Sequence, residues 1–450
     1  MRPARPSRCP GAGPPRRPPR PERPRSPRII GAMGTDRAAD TEPGPLSLPA
    51  YRTYWLSRLA ATLAAQIQVV AVGWQMYELT DSPLDLGLVG LVQFLPSILL
   101  LFVVGPIVDR RDRRLILAGC RLLQGLATLA LAAATLGGWA SREALFAFVF
   151  VLGATRAFEM PAAQSLLPTL VPASLLSRAV AVASSAHQAA TIGGPALGGL
   201  LYVGGAHATY AVAGAMYAVA GLMALRVPER RDVDAPRPEI TRAYLFAGIG
   251  FIRSRPVLLG AISLDMVAVL LGGATALLPI YARDILLTGP WGLGLLRSAP
   301  AVGALAVALW LSRRPLDRHV GPMLFGAVAL FGAATVVFGL SSSLPVSFGA
   351  LAVLGAADMV SVVIRMSIVQ LETPDDMRGR VGAVNSVFIG ASNQIGEFES
   401  GVAAAWLGPV AAVVLGGLGT LVVVGLWARL FPSLAGRDRL APQDHAPPVH

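Results

Sequence analysis

Few charged side chains interrupt the apolar stretches of this sequence, and those that do sit at spacings that could do chemistry. Arg156 and Glu159 are three residues apart and share a helical face, as do Asp358 and Arg365, seven apart. Asn393 and Glu397 are four apart and share a direction, whereas Glu397 and Glu399 point about 200° apart around a helix. Asp265 has no opposite charge within four residues. An ionised group at the centre of a bilayer costs about 2.5–3.5 kcal/mol, so each of these needs a reason. A carboxyl held in a low-dielectric site can take up and release a proton near neutral pH. On that ground Asp265 is the first candidate for a proton-exchanging group and Glu397 the second. The alternative for Asp265 is satisfaction by serine or backbone groups near one membrane face.

Other chemistries are excluded. All 38 basic residues are arginine, and the sequence has no lysine. A P-loop ATPase needs a lysine on its phosphates, and Schiff-base enzymes need one for the covalent bond. There is no Ser-His-Asp set, no glycine-rich nucleotide loop and no metal-ligand spacing, so catalytic residues, cofactors and metals are not expected. Two cysteines, Cys9 and Cys120, cannot make a disulfide framework.

The elements that must hold these charges follow from composition. Of 450 residues, 54% are apolar and only 14% charged, against about 25% charged in a soluble protein. Mean hydropathy is +0.59, and 48 glycines suit closely packed membrane helices. Apolar stretches near the length that crosses about 30 Å of hydrocarbon recur at 54–77, 86–108, 113–136, 143–163, 179–203 and 207–226. Six more follow at 256–281, 291–312, 321–340, 345–370, 382–404 and 409–429. The expectation is an all-α polytopic membrane protein of twelve helices, with the tenth and eleventh polar enough for hydropathy alone to miss them. Residues 51–226 and 256–430 form the two six-helix halves, joined by a linker at 227–255. Its part from Ile240 to Ile252 reads either as an amphipathic surface helix or as a plain connector. The Arg/Pro-rich tail 1–50, with ten arginines between Arg2 and Arg37, and the tail 431–450 are expected to be disordered.

Arginine placement orients the chain. Alternate loops, starting with the one after the second helix, hold seventeen arginines, and the opposite loops hold only Arg142 and Arg283. The rich side is cytoplasmic by the positive-inside rule, which puts both termini there. A shift of 202 residues aligns 151–199 with 353–401 at 13 identities in 49 positions, with Pro172 on Pro374 and Arg178 on Arg380. Helices four and five therefore look duplicated as ten and eleven, and the shift sets Arg156 opposite Asp358. Asp109-Arg110 and Asp317-Arg318 are a second correspondence, 208 apart. Two halves of like orientation imply a pseudo-twofold axis along the membrane normal and a cavity between them.

The segment Gly105-Pro-Ile-Val-Asp109-Arg110-Arg111-Asp112-Arg113-Arg114 resembles the loop 2-3 signature of the major facilitator superfamily, and the likeness covers about 50–430. The resemblance implies that Gly105 lets helices approach. It implies that Asp109, Arg110 and Arg113 form a cytoplasmic charge latch, with Asp317 and Arg318 as a weaker second copy. Asp112 stands where many members have glycine. Gly194-Pro195-Ala196-Leu197-Gly198-Gly199 resembles the antiporter motif of exporters, with Ala190 replacing an upstream glycine. The run from Asp358 through Arg365, Arg378-Gly379-Arg380 and Gly396-Glu397-Phe398-Glu399 resembles the branch that contains the bacterial enterobactin exporter. So does Leu264-Asp265 with Leu278-Pro279-Ile280-Tyr281.

That likeness implies a monomeric secondary exporter of the bacterial cytoplasmic membrane. It would move small amphipathic molecules, siderophores among them, by alternating access with proton exchange, and would bind no nucleic acid. Macrolide or multidrug efflux is the alternative within the class. A membrane-embedded enzyme or a non-transporting sensor is the alternative outside it; an enzyme needs a nucleophile and base together, and a sensor a sizeable soluble domain.

Overall fold

A computed structural model describes residues 44–228, 242–314, 316 and 318–440. Among them the chain is helical throughout, with no strand. The first six spans are Pro49–Thr80, the bent pair Pro83–Leu99 and Leu101–Arg110, Arg113–Leu136, Arg142–Leu166, Leu176–Tyr202 and Ala206–Leu225. After the short helix Arg242–Ser254 come the seventh span, starting at Pro256–Leu271, then Gly289–Leu311, Val320–Leu340, Leu344–Glu372, Asp375–Leu407 and Pro409–Leu430. Local sequence sets the ends. Ser82, Asp112 and Ser141 accept backbone N–H groups at the starts of spans two, three and four, and proline opens spans one, two, seven, ten and twelve. Asp112 is thus occupied as a helix cap, accepting from the Arg114 and Leu115 amides at 2.8 and 3.2 Å.

Among the described residues, nine helices are long and apolar enough to cross a membrane, and the second span, bent by 58° at Leu100, makes a tenth. Pro96 and Pro106 lie on either side of that bend. The tenth span passes that test, contrary to expectation. The two that fail it are the eleventh and the fifth, 27 and 33 residues long in the order Leu176–Tyr202 and Asp375–Leu407. They are long enough but too polar, and they are the pair that the 202-residue shift relates.

The fold explains why they are polar: each forms a wall between the halves. Span five packs on span eight and span eleven on span two. Both crossings pinch at glycine pairs that the pseudo-twofold relates. A Cβ on Gly199 would stand 3.1 Å from the Gly294 Cα, and one on Gly401 would stand 2.8 Å from the Gly87 Cα. The seventh span breaks at Gly272-Gly273, continues as a 3-10 turn Ala274–Leu277, and ends in a π turn Tyr281–Ile285.

Two boundary expectations change, and one reading left open is decided. Residues 44–50 are ordered, with the turn Pro45–Ser47 leading into span one. Residues 431–440 are also ordered: Pro432–Ala435 is helical, Leu434 is fully buried, and the Arg437 and Asp438 carbonyls accept the Gly321 and Val320 amides. Arg437 also meets Glu372 at 2.7 Å. This segment caps the second half because Leu434 offers an apolar anchor and Arg437 a buried charge partner. In the linker, Arg242–Ser254 is a helix packed on span eleven, where Arg380 lies over the Tyr244 ring. Residues 1–43, 229–241 and 441–450 lie outside the described residues.

Candidate functional site

A cavity of about 240 Å³ opens between the halves near the middle of the bundle. From the first half it is lined by Gln66, Gln68, Gly73, Gly90, Gln93, Gln124, Arg156 and Tyr217, and from the second by Ala276, Arg297, Gln394 and Glu397. Lining by amides and charges is what polar spans five and eleven lead one to expect of their neighbours. Of the sequence candidates, Arg156 and Glu397 reach this cavity. They come from spans four and eleven, on opposite walls.

The charges of the second half reach across to glycines of the first. A Cβ on Gly90 would strike the Glu397 carboxylate, and one on Gly73 would lie 3.6 Å from Arg297 Nη2. Glu397 and Arg297 feel each other's charge. Even so, neither makes a hydrogen bond or ion pair among the described residues, and Arg297 Nε and Gln394 Oε1 are buried without a partner. Arg156 is exposed into the cavity and likewise unpaired.

The remaining candidates lie elsewhere. Asp265 does have a counter-charge, from span ten: Arg365 Nη2 stands 3.1 Å from it, and the Ser361 hydroxyl donates to it at 3.4 Å. Arg365 also donates to Asn385 Oδ1 at 3.3 Å. Asp265 and Asp358 border a void of only about 10 Å³ inside the second half. Arg156 and Asp358, equivalent by the repeat, therefore differ: the first faces the central cavity and the second does not line it. Glu159 turns from Arg156 and binds Arg121 Nε at 2.9 Å and Gln124 at 3.0 Å. Arg121 also donates to Ser57 Oγ. Arg121 and Arg297 escaped the sequence reading, although each is a lone arginine in an apolar span, the same signal that singled out Arg156.

The motif residues on helix five sit at a three-helix junction. Gly194 faces Gln66 and Gly198 faces the Ile67 backbone of span one, while Pro195 and Gly199 meet Gly294 of span eight. The loop 2-3 residues behave otherwise. Gly105 has open space among the described residues where a Cβ would be. Arg110 and Arg318 are exposed and Arg113 partly so, and none is ion-paired among the described residues. Asp317 and the Asp109 side chain lie outside the described residues.

At the end of the bundle opposite the first and last helix termini, the halves are tied. Arg283 meets Asp81 at 2.7 Å and the Tyr77 carbonyl at 3.1 Å, and lies over the Tyr77 ring. The Tyr77 hydroxyl donates to Asp284. Contacts between halves continue to Phe94 and Gly390 on one flank and to Gln188 and Ala301 on the other. Spans four and ten each pack within their own half.

The family model described as "Transmembrane secretion effector" matches residues 41–449. The enterobactin exporter EntS of Citrobacter koseri is 27% identical over 397 residues, covering 88% of this chain and 94% of that protein. Its counterpart in Salmonella typhimurium is 26% identical over 398 residues, covering 88% and 95%. Among solved structures, a bacterial homologue of ferroportin in the inward-facing state superposes with a TM-score of 0.66 at 17% identity, covering 86% of this chain and 99% of that one. A bacterial homologue of the lysosomal transporter Spinster, inward-facing and unoccupied, gives 0.65 at 14%, covering 87% and 98%.

Proposed function

Since the chain belongs to the transmembrane secretion effector family of major facilitator transporters, we propose that it exports an amphipathic small molecule of the siderophore kind by alternating access, with a proton exchanged at Glu397. The observation that carries this reading is the central cavity, which holds Arg156, Arg297 and Glu397, unpaired among the described residues, between two halves tied at one end. A transporter needs a site between two movable halves, with access from one side at a time.

The arginine-rich loops assign the tied end to the outside of the cytoplasmic membrane and the termini to the cytoplasm. The cavity is then loaded from the cytoplasm in this state. In the other state the loop 2-3 residues Asp109, Arg110 and Arg113 act as the latch, with Arg318 and Asp317 opposite, and the Gly199–Gly294 and Gly87–Gly401 crossings are the pivots. Glu397 ranks above Asp265 as the proton carrier because Asp265 is engaged by Arg365 and Ser361, whereas Glu397 has no hydrogen-bond partner and faces the cavity. The enterobactin exporters among its relatives point to a siderophore as cargo.

Efflux from proteoliposomes under an imposed pH gradient tests this, with enterobactin and a macrolide in parallel. Enterobactin should move only with the gradient, and Glu397→Gln should lose gradient-driven movement. Flux indifferent to the gradient, or an unimpaired Glu397→Gln, overturns the proton assignment. Transport of the macrolide alone moves the cargo to the multidrug class.

A further inference from the structure

Four arginines elsewhere in the bundle are met by carboxylates, Arg121 by Glu159, Arg142 by Asp85, Arg283 by Asp81 and Arg365 by Asp265, and Arg58 is met by the Tyr54 hydroxyl. Arg156 and Arg297, which line the cavity, are not. The same cavity holds acceptors without donors: the Glu397 carboxylate, and the buried Oε1 atoms of Gln394 and Gln124. A buried polar atom left unpaired costs about 1–3 kcal/mol. Donors and acceptors left over together, in one cavity, describe the partner that would satisfy both.

We infer that the ligand of this cavity is a hydroxyl-bearing organic acid: its acid oxygens accept from Arg297, and its hydroxyl donates to Glu397. Arg156 on the facing wall makes the cavity net positive, with two guanidinium groups against one carboxylate, and so favours an acid over a cationic drug. About 240 Å³ suits one fused-ring unit. The inference rests on the transport reading and deepens it in one respect. A ligand hydroxyl that donates to Glu397 favours its ionised form, so loading and protonation oppose each other. That opposition is what proton exchange requires, and an acid lacking the hydroxyl does not supply it.

The test is binding to the purified full chain in detergent, by calorimetry, with four probes of one shape. These are 6-hydroxy-2-naphthoate, its methyl ester, 6-methoxy-2-naphthoate, and the methoxy methyl ester. Esterification should weaken binding about tenfold, and so should O-methylation, each corresponding to one charge-assisted hydrogen bond. Arg297→Gln should abolish the preference for acid over ester and keep that for hydroxyl over methoxy; Arg297→Lys should restore the former. Glu397→Met should do the converse. Equal affinity of acid and ester, no binding of the hydroxy acid at millimolar concentration, or an equal loss of all four probes in a variant that still unfolds cooperatively overturns the inference. Because no gradient or vesicle is involved, the expected pattern in a chain that moves nothing would sink the transport reading alone.

Discussion

The charges inside each half and the charges of the central cavity between the halves are handled in opposite ways. Within the first half, Ser57, Arg121 and Glu159 lock together, and Ser57 also donates to the Ala220 carbonyl. Within the second, Asp265, Ser361 and Arg365 do the same. The 208-residue offset that relates Asp109 to Asp317 also carries Ser57 onto Asp265, and the 202-residue shift carries Glu159 onto Ser361. The two cages thus swap serine and carboxylate between equivalent helices. Between the halves, Arg156, Arg297 and Glu397 touch no opposite charge. Locked charge makes each half a rigid body, and loose charge is left for something that comes and goes.

The largest effect should come from opening a cage. Replacing Arg365 by Met leaves Asp265 buried and uncompensated, a loss of about 3–5 kcal/mol. Thermal unfolding in detergent should show it, and the double variant Asp265→Asn with Arg365→Met should recover most of it. If Arg365→Met unfolds like the parent, the cage is not what holds spans seven and ten together.

Glu397→Gln provides the contrast. It removes an unpartnered charge from the interior, so stability should hold or rise, while gradient-driven transport is lost. A Glu397 variant as unstable as Arg365→Met would erase the distinction between the two regions. Gly90→Ala probes the same spot from the facing wall: its methyl would enter the space of the Glu397 carboxylate. It should lower transport with little change in folded yield, because the end of a side chain can move aside where backbone cannot.

Much of this architecture is legible in the sequence because its signals are local or repeated. Apolar length, arginine placement and the 202-residue repeat depend on no knowledge of packing, and they give twelve helices in two halves. Arg156 and Glu397 are found by asking why a charge stands in oil. The same question misleads at Asp265, whose partner Arg365 lies 100 residues on, and at Glu159, whose partner Arg121 lies on the helix before. Sequence spacing finds partners on one helix; ion pairs in a bundle form between helices. The polarity of span five was missed because small residues such as Ala and Gly read as apolar, although they serve there to bring helices together. The C-terminal cap was missed because Leu434 and Arg437 are ordinary residues in a short polar stretch, significant only through what they touch.

The smallest effect is expected at the tied end, and the reason is redundancy. Arg283 has three partners across the interface: Asp81, the Tyr77 carbonyl and the Tyr77 ring. The Asp81 side chain is 70% exposed, so its ion pair is screened by solvent and worth about 0–1 kcal/mol. Asp81→Asn should therefore shift the balance toward opening less than about fivefold, since about 1 kcal/mol corresponds to that factor. The double variant Tyr77→Phe with Arg283→Gln removes every one of these polar side-chain ties and should shift it further. A cysteine placed at Gln93, with Cys9 and Cys120 replaced, reports the change as the rate of labelling by an impermeant maleimide added at that end. Equal rates in the single and double variants would mean that Asp81 alone holds the halves. The exposed end would then belong with the cages, and the division between locked and loose charge would fail where the halves meet.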